Sequence, residues 1–394
     1  MGSQTSSFAL SDEPRAMRDQ ARRFFMDELH PLERKMDEEA WWPDDMFARL
    51  GAMGYLGMTI PVEHGGSGLD YLTAGLILEA MAEANPSVAW SAIAHGNLCL
   101  DNIYRNATEA QRATFVPDLC SGRRVGGIAM TEPEAGSDAI GSMRTRAVRD
   151  GEHFYITGTK TFISNATIAD VLLLYAKTEP GDGSRGVTAF IFETDTPGFC
   201  VARKLDKMGW RGSPIAEIVF DNAKVAVANV LGEPGRGVGV MMSGLDVERV
   251  MVAPLSLGTA ERALRLSIEY AKSRRQFGQA IAGFQLIQAK LAHMFMRLEA
   301  ARSLVYRALS QCDAMSDLKE AGRGEIHMLC AAAVHEAARA ASFIMDEAAQ
   351  IHGGNSYMRD TEINRLYRTA KVMEIAAGTQ EIRQLIVAQE LLRD

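Results

Sequence analysis

Cysteine is scarce in this sequence, and its spacing fits neither a disulfide framework nor a zinc site. Five cysteines occur in 394 residues, and no two of them form a Cys-x-x-Cys pair. Disulfide-rich secreted domains and zinc modules need paired or clustered cysteines. Both classes are therefore disfavoured, and we expect reduced, buried thiols in a cytoplasmic protein.

An excess of basic charge is also lacking. The chain carries 42 Lys and Arg against 50 Asp and Glu, which gives a formal net charge of −8 at pH 7. That balance disfavours a nucleic-acid-binding protein, although it leaves room for a local basic pocket that binds a phosphate-bearing ligand. We expect no nucleic-acid partner.

Long apolar runs are missing as well. The most apolar helical stretch, Met328–Gln350, is interrupted by charged residues such as Arg339 and Asp346. A membrane-spanning helix needs about 20 consecutive, mostly apolar residues. The first residues lack the apolar core of a secretory signal. We expect no membrane insertion and a cytoplasmic location.

Several catalytic signatures are incomplete. The glycines at 235–239 do not complete Gly-x-Gly-x-x-Gly and are better explained as the entry to a helix. His335-Glu336 lacks the second histidine of a zinc-protease motif, and no Gly-x-Ser-x-Gly elbow is present. The sequence therefore disfavours a dinucleotide-binding fold of the doubly wound type, a metal site and a serine hydrolase.

The chain contains three zones of different hydrophobic period. Residues 1–125 have helical periodicity, residues 126–238 contain short β runs such as Val171–Tyr175 and Val187–Phe192, and residues 239–394 return to long helices. This order, without βαβ alternation, predicts an α+β, mostly α fold. We expect an N-terminal helical domain, a middle β-barrel or sandwich domain and a C-terminal helical domain.

Five polar or glycine-containing segments stand out in these zones. Each one alone has an ordinary explanation as a polar turn, a solvated helix face or, for Thr379, a helix N-cap. Their order and separations, which extend from Ile60–Gly68 through Glu381, resemble the acyl-CoA dehydrogenase family, and most closely its isovaleryl-CoA dehydrogenase type. The segments are Thr131–Asp138, Thr159–Asn165, Arg274–Gly278, Gln350–Asn355 and Ala377–Glu381.

The resemblance implies a fold, a cofactor and partners. Members of the family have a C-terminal four-helix bundle, bind FAD, act on acyl-CoA substrates, are usually homotetramers and pass electrons to an electron-transferring flavoprotein. The residues of this chain that match FAD-binding positions are Ile128, Met130, Thr131, Ser137, Phe162, Ile163, Ser164, Arg274, Phe277, Gln285, Gln350, Gly353, Gly354, Thr379 and Glu381. Phe162 and Ser164 replace the Trp and Thr that many members carry, so we expect the roles to be kept with altered redox tuning.

The catalytic base departs from the commonest family pattern. Where many members have Tyr-Glu-Gly-Thr, this chain has Ala376-Ala377-Gly378-Thr379, without the glutamate. The isovaleryl type and long-chain members place the base at the position matching Glu248. Alone, Glu248 beside Arg249 would more often form a surface ion pair, but the missing carboxylate at Ala377 makes it the expected base. We expect burial to raise its pKa, while the backbone N–H of Ala377 still binds the thioester carbonyl.

The resemblance also implies a substrate site and a preference. The residues that match substrate-binding positions are Ser137, Gly239, Asp246, Arg249, Met373, Ala376 and Gly378. Small residues at 376 and 377 suit a branched or bulky acyl chain, and Gly239 and Met373 stand where the isovaleryl pattern has tyrosines. We therefore expect FAD-dependent α,β-dehydrogenation of a branched acyl-CoA longer or bulkier than isovaleryl-CoA. The alternatives are a flavin monooxygenase or desulfinase on the same scaffold, or a catalytically silent acyl-CoA-binding protein.

Overall fold

Helices, then strands, then helices follow one another along the chain. The computed structural model describes residues 10–178, 186–315 and 324–393. Its architecture confirms the predicted α+β, mostly α fold. Along the chain, the strands of a central sheet lie between two helical regions. The two helical regions contact each other through the fourth and ninth helices, so they are not isolated lobes.

Seven α-helices form between residues 10 and 125. Pro31 occupies the first turn of the second helix, where its missing N–H costs no hydrogen bond. Asp70 caps the fourth helix by accepting a 2.7 Å hydrogen bond from the Thr73 backbone N–H. The helices are α1 (Asp12–Glu28), α2 (His30–Glu39), α3 (Met46–Ala52), α4 (Tyr71–Ala84), α5 (Pro86–His95), α6 (Asp101–Asn106) and α7 (Glu109–Cys120).

The middle of the chain forms an eight-stranded sheet. Its strands are β1 (Gly126–Ala129), β2 (Arg146–Asp150), β3 (His153–Ser164), β4 (Val171–Lys177), β5 (Val187–Glu193), β6 (Phe199–Lys204), β7 (Ile215–Ala226) and β8 (Val230–Leu231). They pair in the order β6-β7-β3-β2-β4-β5-β8, and β1 pairs in parallel with β4. The two ends of this path do not pair within the described residues, so the sheet is open rather than a closed barrel.

The sheet buries apolar residues on both faces. Along β4, Leu172 and Leu174 enter one core with aromatic residues of β5 and β7, whereas Leu173 and Tyr175 enter a second core beneath α6 and α7. Side chains of a strand alternate between faces, so a strand covered on both sides reads as a continuous apolar run. This explains why the sequence predicted β4 and β5 correctly.

Long helices make up the rest of the described chain. They are α8 (Gly237–Met242), α9 (Leu245–Ser273), α10 (Gln285–Asp313), α11 (Gly324–His352), α12 (Glu362–Ala370) and α13 (Gln380–Leu391), with a hairpin of β9 (Arg275–Gln276) and β10 (Gln279–Ala280) between α9 and α10. Helix α11 packs against α9, α10 and α13. The start of α8 at Gly237 confirms that the preceding glycines form a helix entry.

One helix in the described part of the chain meets the length and composition of a membrane span. It covers Gly324–Tyr357, and 61% of its most apolar window is buried inside the protein. Its apolar side chains contribute to the large helical core rather than to a free surface. The helix is therefore explained as a core element.

Candidate active site

Glu248 lies in the first turn of α9 and faces helix α6. Only 5% of the residue is exposed. Its Oε1 accepts a 2.7 Å hydrogen bond from Asn102 Nδ2, and Arg105 Nη2 lies 3.3 Å from the same oxygen. The ion-pair partner of Glu248 is thus Arg105, which is 143 residues away in sequence, and not the adjacent Arg249.

Burial gives Glu248 the titration of a base that works at neutral pH. Removal of water from the carboxylate raises its pKa to about 7, although Arg105 and the hydrogen bond from Asn102 act in the opposite direction. The expected rise of the pKa is confirmed. A base is most effective when its pKa lies near the working pH, because it is then both available and strong enough.

The Ala377 segment, between α12 and α13, is strained and anchored. Ala377 has a positive φ of 55°, a left-handed conformation that costs a non-glycine residue about 1–2 kcal/mol. Arg383, fully buried on α13, donates one hydrogen bond to Met373 O at 2.9 Å and another to Ala376 O. Among the described residues, no group accepts a hydrogen bond from the Ala377 backbone N–H. This donor is therefore held in place and available.

The base helix and the Ala377 segment meet at two arginines. Arg249 follows Glu248 on α9. Burial of Arg383 and, to a smaller extent, the positive charge of Arg249 lower the pKa of Arg383 to about 10. Arg249 is itself buried, and its Nε and Nη1 atoms have no hydrogen-bond partner in the described part of the chain. Buried donors without acceptors are uncommon in native proteins and point to a ligand that supplies acceptors.

Asp246 is held by side chains from two helices. His327 of α11 makes a short contact with its carboxylate through Nδ1, and Arg249 lies 3.9 Å from Asp246 Oδ1. The sequence placed Asp246 and Arg249 in the substrate site but did not identify His327. No spacing motif connects His327 to α9, because the two residues come together only when the helices pack.

A second group of predicted residues comes together where β1 and β3 end. The Thr161 backbone N–H donates a 2.9 Å hydrogen bond to Thr131 O, and Trp90 Nε1 donates one of 2.9 Å to Ser164 Oγ. The register between β3 and β7 shifts between Lys160 and Ile163, which marks a β-bulge around Phe162. Phe162 has φ 58° and is 65% exposed. Bulges commonly re-aim a side chain next to a functional site.

A buried ion pair supports the loop that begins at Thr131. Lys160 Nζ lies 2.8 Å from Glu132 Oε1 and donates a second hydrogen bond of 2.9 Å to Met130 O. Glu132 also accepts the backbone N–H of Thr145 at 3.0 Å. This pair is not predictable from the sequence, because a lysine in a strand gives no signal that it points inward.

The remaining residues of this group have different exposures. Ile128 and Met130 pack partly against the core beneath α6 and α7, whereas Ile163 is buried within the sheet core. Ser137 is exposed at the tip of its loop. The group therefore presents an aromatic ring, hydroxyls and strand-end backbone at one rim of the sheet.

A third group lies at the far ends of α9 and α11. Phe277, 93% exposed with φ 49°, forms the tip of the β9–β10 hairpin, which follows Arg274. The ring of His352 stacks on Tyr270 at 4.4 Å, so the end of α11 lies beside the end of α9. The predicted FAD residues gathered here are all exposed: Arg274, Phe277, Gln285, Gln350, Gly353 and Gly354.

Thr379 caps α13, as the sequence predicted. Its side chain accepts a hydrogen bond of 3.4 Å from the Ile382 backbone N–H, and Glu381 is exposed in the first turn. Gly378 precedes the cap with φ 92°. The unpaired amides of a helix N-terminus attract negative groups such as phosphates.

The two positions that replace tyrosines differ in their surroundings. A Cβ atom added to Gly239 in α8 would meet nothing within 4 Å, so the space beside it is open. Met373, in contrast, is 1% exposed and belongs to the helical core. Gly239 is exposed, so the open space beside it does not distinguish a channel from the surface, and the deeper acyl channel stays a prediction.

The predicted flavin-binding residues have the chemistry that a flavin cofactor requires. A planar ring requires an aromatic or apolar face and nearby hydrogen-bond donors, which the exposed Phe162 and the backbone at Thr131 offer. Diphosphate binding requires approachable amides and fixed cations, and no atom of the described residues, apart from chain neighbours, lies within 4 Å of a Cβ placed on Gly353 or Gly354. Arg274 is exposed at the end of α9, whose Tyr270 stacks on His352.

Family models match almost the whole chain. The N-terminal domain model of acyl-CoA dehydrogenases matches residues 11–123, the middle-domain model matches residues 127–223, and the C-terminal domain model matches residues 235–392.

Curated relatives are similar over most of their length. The mitochondrial isovaleryl-CoA dehydrogenase of Pongo abelii is 40% identical over 392 residues, which cover 98% of this chain and 90% of that protein. The mitochondrial 2-methylacyl-CoA dehydrogenase of Solanum tuberosum is 38% identical, with 99% and 93% covered.

Solved structures share the fold. Butyryl-CoA dehydrogenase from Megasphaera elsdenii has a TM-score of 0.93 at 35% identity, with 98% of this chain and 100% of that chain covered. The glutaryl-CoA complex of glutaryl-coenzyme A dehydrogenase has a TM-score of 0.92 at 33% identity, with 98% and 96% covered. A chain from a study of the electron transferring flavoprotein of Acidaminococcus fermentans has a TM-score of 0.93 at 34% identity, with 98% and 100% covered. The chain belongs to the acyl-CoA dehydrogenase family and is a flavin-dependent oxidoreductase that acts on CH–CH bonds.

Proposed function

We propose that the protein removes one hydrogen from the α carbon and one from the β carbon of a branched or bulky acyl-CoA, with Glu248 as the base. The observation that carries the proposal is the buried Glu248 carboxylate, whose pKa is raised to about 7 by burial. A pKa near neutrality leaves ionised carboxylates that can accept the α proton. Asn102, at 2.7 Å from Oε1, fixes the direction of the carboxylate.

The backbone N–H of Ala377 is proposed to stabilise the negative charge that forms on the substrate. Loss of the α proton places negative charge on the thioester oxygen, and a fixed N–H directed at that oxygen stabilises the charge. The Ala377 N–H is available, and Arg383 holds the carbonyl oxygens of Met373 and Ala376, which precede Ala377 in the chain. The strain at Ala377 supports a functional conformation, because such backbone outliers persist only where the surroundings enforce them.

The flavin is proposed to be FAD. Thr131, Phe162 and Ser164 would hold its ring, and the exposed residues at the ends of α9 and α11 would hold its diphosphate and adenine. Bound there, FAD supplies the acceptor for the hydride that leaves the β carbon. The bulge at Phe162 and the open backbone at Gly353 support these assignments.

A second copy of the chain is proposed to complete the cofactor site. Phe277, Leu286 and Tyr357 are large and strongly exposed, and they lie on the same exposed ends as the third group. Apolar side chains clustered on a surface commonly mark an interface. This supports the expected homotetramer, in which the hairpin of one chain reaches the flavin of another.

Asp246, Arg249, Ala376 and Gly378 are proposed to surround the thioester and its CoA arm. The Nε and Nη1 atoms of Arg249 lack a hydrogen-bond acceptor among the described residues and support this role, because amide carbonyls of the arm would satisfy them. The proposal of a longer or bulkier branched chain rests on the small residues Ala376, Ala377 and Gly239. The relatives named for isovaleryl-CoA and 2-methylacyl-CoA support branching.

The electron acceptor and the compartment are proposals as well. The fold neighbour from the electron transferring flavoprotein study supports such a flavoprotein as the acceptor. The five cysteines are free, and four of them are buried. Reduced thiols suit the cytoplasm.

Anaerobic bleaching of the bound flavin by a panel of acyl-CoAs tests the function. We expect bleaching by branched thioesters, faster with longer branches than with isovaleryl-CoA. A clear preference for isovaleryl-CoA would refute the longer-chain proposal. Oxygen consumption with a non-thioester substrate would instead support a monooxygenase or desulfinase, and purified protein without flavin would support a silent acyl-CoA-binding protein.

A further inference from the structure

Arg105 lies between two buried carboxylates of the site. Its Nη1 makes a short ion pair with Asp101, one turn earlier on α6, and its Nη2 lies 3.3 Å from Glu248 Oε1. The side chain of Arg105 is 9% exposed, and those of Asp101 and Glu248 are 5% and 6% exposed. The single positive charge of Arg105 therefore interacts with two buried carboxylates.

The backbone of α9 is shaped to admit this guanidinium. A Cβ atom on Gly244, the residue before α9, would lie 1.6 Å from Arg105 Nη2. Only glycine leaves room for the side chain there. The Glu248 backbone N–H bonds to Gly244 O at 2.7 Å, so the same turn that admits Arg105 also carries Glu248.

The charges and titratable groups around Glu248 come from several elements. Asp101 and Arg105 lie on α6, Arg249 on α9 and Tyr175 on β4. Burial, followed by the nearby charge of Glu248, raises the pKa of Tyr175 well above its normal value, so it stays neutral. Tyr71 of α4, near Asp101 and Arg105, also stays neutral because burial raises its pKa.

This arrangement removes a difficulty of using a buried base. When Glu248 accepts the α proton and becomes neutral, a counter-ion that belonged to it alone would remain as an unpaired buried cation, which is strongly unfavourable. Arg105 retains Asp101 in that state. When Glu248 is ionised, Arg105 still interacts with Asp101 as well. Arg105 therefore stabilises the Glu248 carboxylate less than a dedicated counter-ion would, and Glu248 remains a sufficiently strong base.

We propose, resting on the function proposed above, that Arg105 is a positioning residue whose single charge is shared between Glu248 and Asp101, so that Glu248 can alternate between its ionised and protonated forms. The proton would move from the α carbon to Glu248, the electron pair of the broken C–H bond would form the α,β double bond, and a bound flavin would accept the hydride from the β carbon. Asp101 keeps its charge throughout.

Two substitutions with opposite effects test the proposal. Asp101→Asn removes one of the two carboxylates that pair with Arg105, so that Arg105 pairs only with Glu248. The acid limb of the pH profile of kcat/KM should then move to lower pH by about 1 unit or more. Arg105→Gln removes the cation and should move that limb to higher pH by a similar amount, since one nearby charge typically shifts a pKa by about 1–3 units. A merely structural role would not move the limb in opposite directions.

Two further variants serve as controls. Arg105→Lys keeps the charge and should restore most of the shift caused by Arg105→Gln. Arg123→Gln removes an exposed arginine that pairs with Asp118 and should leave the limb unchanged. Limbs that shift in the same direction in the first two variants, or do not shift, overturn the proposal.

A measurement without turnover separates this proposal from the function. The pH dependence of the difference in unfolding temperature between each variant and its Glu248→Gln double variant reports the titration of Glu248 alone. Opposite shifts here, together with a near-normal rate in Glu248→Gln, would keep the shared charge and overturn the catalytic role. Loss of rate in Glu248→Gln without opposite shifts would keep the catalytic role of Glu248 and overturn the shared charge.

Discussion

Replacement of Glu248 by glutamine should stabilise the protein at high pH while it removes the base. Burial raises the pKa of Glu248 from 4.5 to about 7. The folded protein therefore keeps the proton over a range of pH in which the unfolded chain has lost it, and the stabilising contribution is complete below pH 4.5 and is lost as pH rises through 7. A shift of about 2.5 units, at about 1.4 kcal/mol per unit, corresponds to roughly 3 kcal/mol.

Glutamine imitates the protonated carboxyl, because it keeps an oxygen that accepts from Asn102 and carries no charge. The unfolding temperature of Glu248→Gln minus that of the wild type should be close to zero near pH 4.5 and should increase to a positive plateau above pH 8. Thermal unfolding of the flavin-loaded protein between pH 4.5 and 8.5 measures it. Glu39→Gln, at an exposed carboxylate, is the matched control and should give a flat difference.

A difference that stays flat, or that is negative at pH 8, would refute the reasoning. It would mean that Arg105 and Asn102 compensate the carboxylate fully, so that Glu248 is an ordinary ion-pair partner. The buried position alone would then carry no information about catalysis.

Three further changes have expected outcomes. Lys160→Met leaves Glu132 as an unpaired buried carboxylate, which should cost about 3–5 kcal/mol in unfolding free energy and lower the flavin content of purified protein; adding Glu132→Gln should restore part of both. Ala377→Gly relieves the left-handed backbone and should keep or raise the unfolding temperature, whereas Ala377→Val should lower it by the equivalent of about 1–2 kcal/mol or more. Gly239→Tyr restores the ring of the isovaleryl pattern and, if residue 239 borders the acyl chain as proposed, should lower kcat/KM for a long branched acyl-CoA at least about tenfold relative to isovaleryl-CoA, the equivalent of about 1.4 kcal/mol.

The fold was predictable where one element carries its own pattern. Val171–Tyr175 and Val187–Phe192 are apolar because both faces of β4 and β5 are covered, and the structure confirms both strands. Strand β2 escaped prediction because it is mostly polar, and four of its five residues are exposed. An exposed strand is held by its neighbours through backbone hydrogen bonds, which leave no trace in its own hydrophobic pattern.

The site was predictable only to the level of individual residues. Glu248, Thr379 and Phe162 were found from the motifs around them. Their supports were not, because Arg105 reaches Glu248 across 143 residues and Trp90 reaches Ser164 across 74. Such partners are selected by the packing of helices and strands, and no local spacing encodes them.

The central claim is that Glu248 accepts the α proton, and single-turnover kinetics tests it most directly. The rate of anaerobic flavin bleaching by a reactive acyl-CoA should be compared between the wild type and Glu248→Gln, with the bound flavin content measured in both. The account predicts full flavin content and a rate about 10²–10⁴-fold lower in the variant, the usual contribution of a positioned base. A near-normal rate in the variant would contradict it.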